Sequence, residues 1–410
     1  MPVLSDSLCP PVVRGAESLT SALVTGVTTQ ELLAQLTGPF ADDATVCSAL
    51  YDTAVLAMLM NQRDLGLSLQ RDLLGRCMLF RFASRHPPRI RVLAIAAPGD
   101  LQMNMPIEFI TAHLDVRLDL LVLVPGQPLP ATLPDHDLAF CVISDTDPKA
   151  LHRAAQLLSS WPRPVLNHPA RVAGGQIAAL TRDGYARMFA QTEGICAPET
   201  ARVARDVLEA VVAGTLLLDV WPVLIRPLLS HAGENLARLE TAASLADYLA
   251  TVSDDAFFVS RFIEYRDPDR LYRKLRVALV QGQAFLCHMG VSEHWMIHYL
   301  NAGMERSAAK RAVEAAAMAE FAEGFGRRHA AAFTALHAVL GLDYVVIDCG
   351  EAPDGRLLLF EVEMAAIVHL LDPADLFPYK PPQMRKVFAA FGEMLKTTSE
   401  GRFKATRQAA

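Results

Sequence analysis

The sequence predicts a mixed α/β (α+β) protein of several domains, and three features predict it. Residues 17–80 carry leucines at helical spacing, residues 87–165 alternate apolar runs with turns, and an acidic β-hairpin follows residue 343. At 410 residues the chain exceeds one ordinary core, so two or three domains are expected.

Hydrophobic residues make up 52% and charged residues 20%, with no low-complexity tract, which marks a folded chain. The net charge of -7 is modest and Lys and Arg are dispersed, so nucleic acid is not expected as a partner. Seven cysteines without a Cys-x-x-Cys pair read as thiols in a reducing compartment. Residues 1–11 lack a basic start followed by an apolar run, so no secretory signal is expected. The apolar stretch Val207 to Ile225 contains Glu209, Asp219 and Pro222, which suits a helix followed by a strand and not a membrane span. A cytoplasmic address is the expectation, and a homo-oligomer stays open.

Taken in order, Leu32, Leu33 and Leu36, then Leu56 and Leu59, then Leu65, Leu69 and Leu73 fall at helical spacing. They predict an N-terminal helical domain over 1–86. His86-Pro87-Pro88 breaks that pattern, and Ile90 to Ala96 is a buried-strand run ended by Pro98-Gly99-Asp100. Asp119 to Val124 and Leu138 to Ser144 repeat the type, so residues 87–165 are expected to form a small Rossmann-like α/β domain. Its first loop has no Gly-x-Gly-x-x-Gly, which removes the usual warrant for a dinucleotide site. Helices are expected over Gly175 to Thr192 and Thr200 to Gly214, and strands at Pro222 to Arg226 and Phe257 to Ile263. Lys274 to Gln281 and Phe285 to Met289 read as a strand pair. A helix-rich stretch, Ser307 to Leu340, is interrupted near Gly324 to Gly326. Residues 166–395 are taken as one further domain and 396–410 as a tail.

Tyr344 to Asp348 and Leu357 to Glu363 are β-rich runs joined through Pro353-Asp354-Gly355, and Asp-Gly is a strong tight-turn signal. A hairpin folded symmetrically about Asp354 and Gly355 sets Asp348 opposite Glu361. Alternation then puts Asp348, Glu361 and Glu363 on one face. Opposed side chains sit roughly 4.5 to 5.5 Å apart at Cβ, where like charges destabilise a sheet. A hard divalent cation compensates, and Mg²⁺ in nucleotide enzymes is held by one or two carboxylates plus phosphate oxygens. The alternative is a solvated face of ordinary acids.

Several segments, in order, resemble the ATP-grasp superfamily, in particular glutathione synthetase and the ribosomal-protein glutamate ligases. Pro222-Val223-Leu224-Ile225-Arg226-Pro227 resembles the strand with a phosphate-binding cation, and Ser230-His231-Ala232-Gly233 the loop after it. Phe258-Val259-Ser260-Arg261-Phe262-Ile263 resembles the interdomain strand whose backbone meets adenine. Lys274-Leu275-Arg276-Val277 stands where the family has Asp-Leu-Arg-Val, and Leu342 to Asp348 with Glu361-Val362-Glu363 resembles the metal hairpin. The resemblance covers roughly residues 165–391. The stretch from His288 to Met304 is similar to a bacterial ATP-grasp subgroup often fused to helical repeats. Three departures stand out: one glycine in the phosphate loop, Lys274 in place of an acid, and Glu363 in place of Asn. A family lysine is also missing near Arg182-Asp183, with Arg187 as its expected substitute.

The resemblance implies an ATP-grasp fold over 166–395, with ATP-binding and metal-binding subdomains, and a ligase that joins a carboxylate to an amine. ATP and one or two Mg²⁺ ions, with Mn²⁺ as a stand-in, are the implied cofactors. ADP and phosphate leave after an acyl phosphate has formed on an amino acid, peptide or small specialised metabolite. Arg187, Arg226, Ser230, His231, Gly233, Arg261, Phe262, Ile263 and Lys274 are the implied nucleotide contacts, and Asp348, Glu361 and Glu363 the metal ligands. Arg276 is the implied transition-state cation. His288, His294, Trp295 and Asn301 would line the acceptor pocket, with His298 taking the amine's proton. A zinc site on the three histidines lacks a recognised third-ligand pattern. Two other classes remain: a phosphotransferase acting on a small molecule, and a catalytically weak ATP-binding scaffold.

Overall fold

The computed structural model describes residues 2–38, 40–84, 86–173, 180–228, 230 and 233–408. The mixed α/β class expected from the sequence is present, built on three main sheets.

The N-terminal half contributes β1 (Val3–Ser5), β2 (Val12–Val13), β3 (Leu79–Phe82), β4 (Ile90–Ala96), β5 (Val116–Val122), β6 (Thr132–Pro134), β7 (Leu138–Cys141) and β8 (Val165–Leu166). Six of them form a sheet ordered β2-β3-β5-β4-β7-β8, while β1 pairs with β6. The strand expected at Ile90 to Ala96 has those bounds, because an unbroken apolar run suits a parallel strand covered on both faces.

Residues 1–86 are not a free-standing helical domain, which corrects the first expected boundary. Four helices, Gly15–Val24, Thr29–Leu36, Asp43–Leu59 and Arg63–Leu74, lie between β2 and β3, and both strands belong to the six-stranded sheet. Asp52 locks the entry by accepting from the N–H groups of Arg14 and Gly15 at 3.0 Å. Gly15 adopts φ +76°, and a Cβ there would lie 2.4 Å from the Phe82 ring, so only glycine fits.

A smaller antiparallel sheet follows. It draws on β10 (Thr200–Ala204), β11 (Val223–Pro227), β12 (Ala237–Leu239) and β13 (Ala256–Arg261), in the order β10-β13-β11-β12, whereas β9 (Ile195–Cys196) crosses to the next sheet. The helix expected over Thr200 to Gly214 begins only at Arg205. Its first five residues are an edge strand instead, paired with β13 and holding Arg202 over the Phe258 ring. This unit has its own core of Leu208, Val223, Ile225, Leu245 and Phe257.

The third sheet is formed by β14 (Tyr272–Val280), β15 (Gln283–Ser292), β16 (Tyr344–Glu351) and β17 (Leu357–Glu363), in the order β15-β14-β16-β17-β9. Its hydrophobic underside shares one core with the N-terminal sheet. The helix Lys380–Gln408 rivets the two: Phe391 packs 5.6 Å from the Phe140 ring of β7 and 5.3 Å from Tyr344 of β16. Residues 396–401 are therefore helix with Ser399 buried, not the expected tail. Among the described residues, no helix is long and apolar enough to cross a membrane.

Candidate active site

The acidic hairpin forms with the expected pairing, Asp348 opposite Glu361 and Val346 opposite Glu363. It reaches that register by a different route. The turn is one residue tighter than symmetry about Asp354 and Gly355 requires, since Glu351 pairs with Leu357. A bulge at Phe360 then restores the register between Cys349–Leu359 and Asp348–Glu361. The bulge frees the Phe360 carbonyl, which accepts from the Tyr185 hydroxyl and from Arg182 Nη1 at 3.5 Å.

The charge on Asp348 is answered by cations of its own sheet. Arg276, directly opposite on β14, donates from Nε and Nη2 at 2.8 and 3.1 Å, and Lys274 Nζ lies 2.7 Å away. Burial alone would raise the Asp348 carboxyl, but Lys274 and Arg276 together outweigh it and hold it well below the usual carboxylate range. Asp348, one of the three expected metal ligands, is thus paired with two cations of its own sheet. Among the described residues, no group of three His, Cys, Asp or Glu side chains is arranged to hold a metal ion.

Glu361 and Glu363 differ. Burial would raise Glu361, but Arg182, whose Nη2 donates to it at 2.6 Å, lowers it. Among the described residues no Lys, Arg or His forms an ion pair with Glu363; burial first and Glu361 next push its carboxyl up to about 8. Glu361 and Glu363 share a hydrogen bond that lowers the first carboxyl and raises the second, so two hard oxygen donors lie side by side.

Arg226 of β11 faces this hairpin across the cleft between the two smaller sheets. Burial and the neighbouring Arg182 pull its guanidinium down to about 10. Arg226 Nε donates to Ser230 Oγ at 2.9 Å, and a second bond from Nη2 reaches the Ser230 carbonyl. Two neighbouring arginines are a donor set that suits an anion's oxygens. Arg187, the expected substitute for the missing lysine, is 67% exposed and pairs with Asp183. Arg182, five residues earlier, is the residue that meets Glu361.

The remaining expected contacts divide. Gly233 takes φ +80°, and a Cβ there would lie 3.4 Å from Met296 Sδ, so Gly233 lies beside the loop that carries Met296. His231 lies outside the described residues. Phe262 is buried between Arg238, 4.1 Å from its centroid, and Trp295, edge-on at 5.8 Å. Trp295, expected in the acceptor pocket, packs against Phe262, and its carbonyl accepts from the Tyr265 hydroxyl at 2.5 Å. Ile263 is half-buried beside it. Arg261 is exposed, apart from the acids.

His288 sits opposite Arg276 on β15, its ring 4.4 Å from Tyr299, and burial with the Arg276 charge holds it neutral. His298 is exposed at the cleft, where burial of its ring, then Lys274 and Arg276, lower its pKa. Asn301 spends its Oδ1 on the His298 N–H at 2.9 Å, and His294 is exposed. These two do not join the cluster.

Sequence reasoning missed the polar knot behind this loop. Lys380, 1% exposed, lies 3.1 Å from Asp372, 3.7 Å from Glu314 and 2.5 Å from the Tyr299 hydroxyl. Glu314, 0% exposed, accepts from Tyr379 at 2.6 Å and from the Met289 N–H at 2.9 Å. No spacing rule joins residues 299, 314 and 380.

An antiparallel sheet facing a second sheet across a charged cleft is the arrangement that the ATP-grasp resemblance implies. No family model matches the chain, and no curated protein matches it. Solved structures of ATP-grasp proteins do. The RimK domain ATP-grasp protein from Sphaerobacter thermophilus DSM 20745 is 19% identical over 75% of this chain and 98% of that one, with a TM-score of 0.40. D-alanyl-alanine synthetase A from Vibrio cholerae O1 biovar eltor str. N16961 is 11% identical over 76% and 99%, with a TM-score of 0.47. The ATP-grasp ligase PsnB, solved with the precursor peptide PsnA2 and AMPPNP, is 13% identical over 77% and 100%, with a TM-score of 0.42. Likenesses of this depth carry no residue's role across to this chain.

Proposed function

We propose that this chain is an ATP-grasp ligase that phosphorylates a substrate carboxylate and joins it to an amine, releasing ADP and phosphate. One observation carries the reading: Arg182, Arg226, Lys274 and Arg276 converge on Asp348, Glu361 and Glu363 in a single cleft. Phosphoryl transfer asks a protein chiefly for positioning and charge neutralisation, and this set offers both.

Arg226 and Arg182 hold phosphate oxygens, which relieves their mutual repulsion. Arg276, kept in one orientation by its fork onto Asp348, meets the charge that develops on the transferring phosphoryl group. Glu361 and Glu363 hold Mg²⁺, which when bound supplies neutralisation of phosphate charge. The backbone of Phe262 and Ile263 borders the adenine. His298 is neutral at physiological pH and takes the proton from the attacking amine.

The test is amine-dependent ADP release by the full chain across amino acids and peptides, with a new amide identified by mass. Glu361→Gln abolishes it under this reading; unchanged turnover in that variant sinks the metal assignment. A second reading, a nucleotide-binding scaffold, is favoured by the 2.7 Å Lys274–Asp348 pair, which occupies a carboxylate. Stabilisation by ATP and Mg²⁺ with no turnover on any substrate pair supports it.

A further inference from the structure

Four directly opposed residues run in a row across the third sheet. Glu361 of β17 pairs with Asp348 of β16, Asp348 with Arg276 of β14, and Arg276 with His288 of β15. Opposed residues of antiparallel strands share a face, and the fork of Arg276 onto Asp348, at 2.8 and 3.1 Å, lies along that row. Neighbouring strands are about 4.8 Å apart, so His288 stands one strand beyond Arg276, on the side away from the glutamates.

The loop of residues 293–304 closes this end of the row. Gly290 lies on the same face as His288, and a Cβ there would lie 2.6 Å from Ile297 Cγ2 and 3.9 Å from the Tyr299 ring, so the loop folds down onto bare backbone. Tyr299 packs on the imidazole, with ring centroids 4.4 Å apart. Its hydroxyl is held by Lys380 at 2.5 Å and by Glu314 at 2.9 Å. Glu314 also accepts from the Met289 N–H at 2.9 Å, which fixes the strand one residue past His288.

The His288 ring is half-buried and, among the described residues, hydrogen-bonds to nothing. Burial, then the Arg276 charge, keep it neutral, so it offers one N–H donor and one acceptor. Polar groups withdrawn from water ordinarily find partners, and an imidazole braced this way with both nitrogens unpaired is pre-organised for a ligand. Its place in the row says which part of the ligand. In the ligase reading, on which this inference rests, Glu361 and Glu363 serve the metal and Arg276 the transferring phosphoryl group. The carbonyl carbon of an acyl phosphate lies one bridging oxygen beyond phosphorus, and the next position in the row is His288.

We propose that His288 is a catalytic residue whose ring N–H donates to the carbonyl oxygen of the acyl phosphate as the amine attacks. The amine nitrogen bonds to the carbonyl carbon, and the carbonyl π pair moves onto oxygen, where the N–H meets the developing charge. That pair then re-forms the carbonyl, the bond from carbon to the bridging oxygen breaks, and phosphate leaves with its electrons. The proton of the amine passes to His298, and His288 neither gains nor loses one.

The test separates the two chemical steps in the full chain, with a carboxylate and an amine that the wild type joins in the screen of amino acids and peptides. Rapid-quench single turnovers with ATP and Mg²⁺ read ADP for the first step and amide for the second. In His288→Leu, or His288→Ala should leucine disturb the loop, amide formation is expected to slow about 100- to 1000-fold, the weight of one oxyanion donor, while ADP forms at close to the wild-type rate and KM for ATP stays within about twofold. His288→Asn or His288→Gln, which keep an N–H donor, should recover about tenfold of the loss. ADP and amide slowed together, amide formation left unslowed, or no recovery in either amide variant overturns the proposal. A wild type that joins no carboxylate to any amine overturns the ligase reading instead.

Discussion

Arg276 and Asp348 face each other across the β14–β16 pair, and the guanidinium grips the carboxylate with two bonds of 2.8 and 3.1 Å. A planar fork fixed at both prongs cannot rotate away, so the guanidinium is oriented before any ligand arrives.

Arg276→Ala should lower kcat about 100- to 1000-fold, the usual weight of a pre-set cation at a developing charge. Asp348→Asn should loosen the same cation, and the double variant should be no worse than Arg276→Ala alone, because the pair acts as one unit. Additive losses in steady-state ADP release would contradict this.

Arg182 and Arg187 separate the site from its surroundings. Arg182→Ala removes the 2.6 Å partner of Glu361 and should raise KM for ATP by about tenfold or more. Arg187→Ala, on an exposed side chain, should stay within about twofold. Titrations of initial rate against ATP for both variants decide it.

The Glu363 carboxyl, raised from 4.5 to about 8, binds its proton more tightly folded than unfolded. Its contribution to stability is full below pH 4.5 and is lost as pH climbs through about 8. The metal-free protein should lose Tm across that interval, and Glu363→Gln should flatten the slope. Mg²⁺, by taking up the negative charge, should recover Tm at the alkaline end. Parallel Tm curves for the wild type and Glu363→Gln would refute the assignment.

Lys380→Met should destabilise the fold by about 3–5 kcal/mol, because Glu314 is left buried without its cation. Adding Glu314→Gln should return part of the loss. Urea melts of both variants read the difference directly.

Much of this architecture was legible in local patterns. Ile90 to Ala96 is a strand because an apolar β-rich run has no other good home, and Asp348, Glu361 and Glu363 share a face because strand side chains alternate. Even there, the correct pairing of Asp348 with Glu361 came from two offsetting features, a tight turn and a bulge at Phe360, that no residue count foresees. The strand at Thr200–Ala204 was hidden because its pairing with β13 outweighs helix propensity.

Order along the chain carried the mixed α/β class and the candidate charged residues. Folding alone chose among them. Arg182 rather than Arg187 meets Glu361, and Lys274 and Arg276 both pair with Asp348. Spacing in a sequence governs which face a side chain takes within its own element. Which charges come within a few ångströms of one another is governed by how separate sheets pack, and burial at those meeting points sets each group's charge.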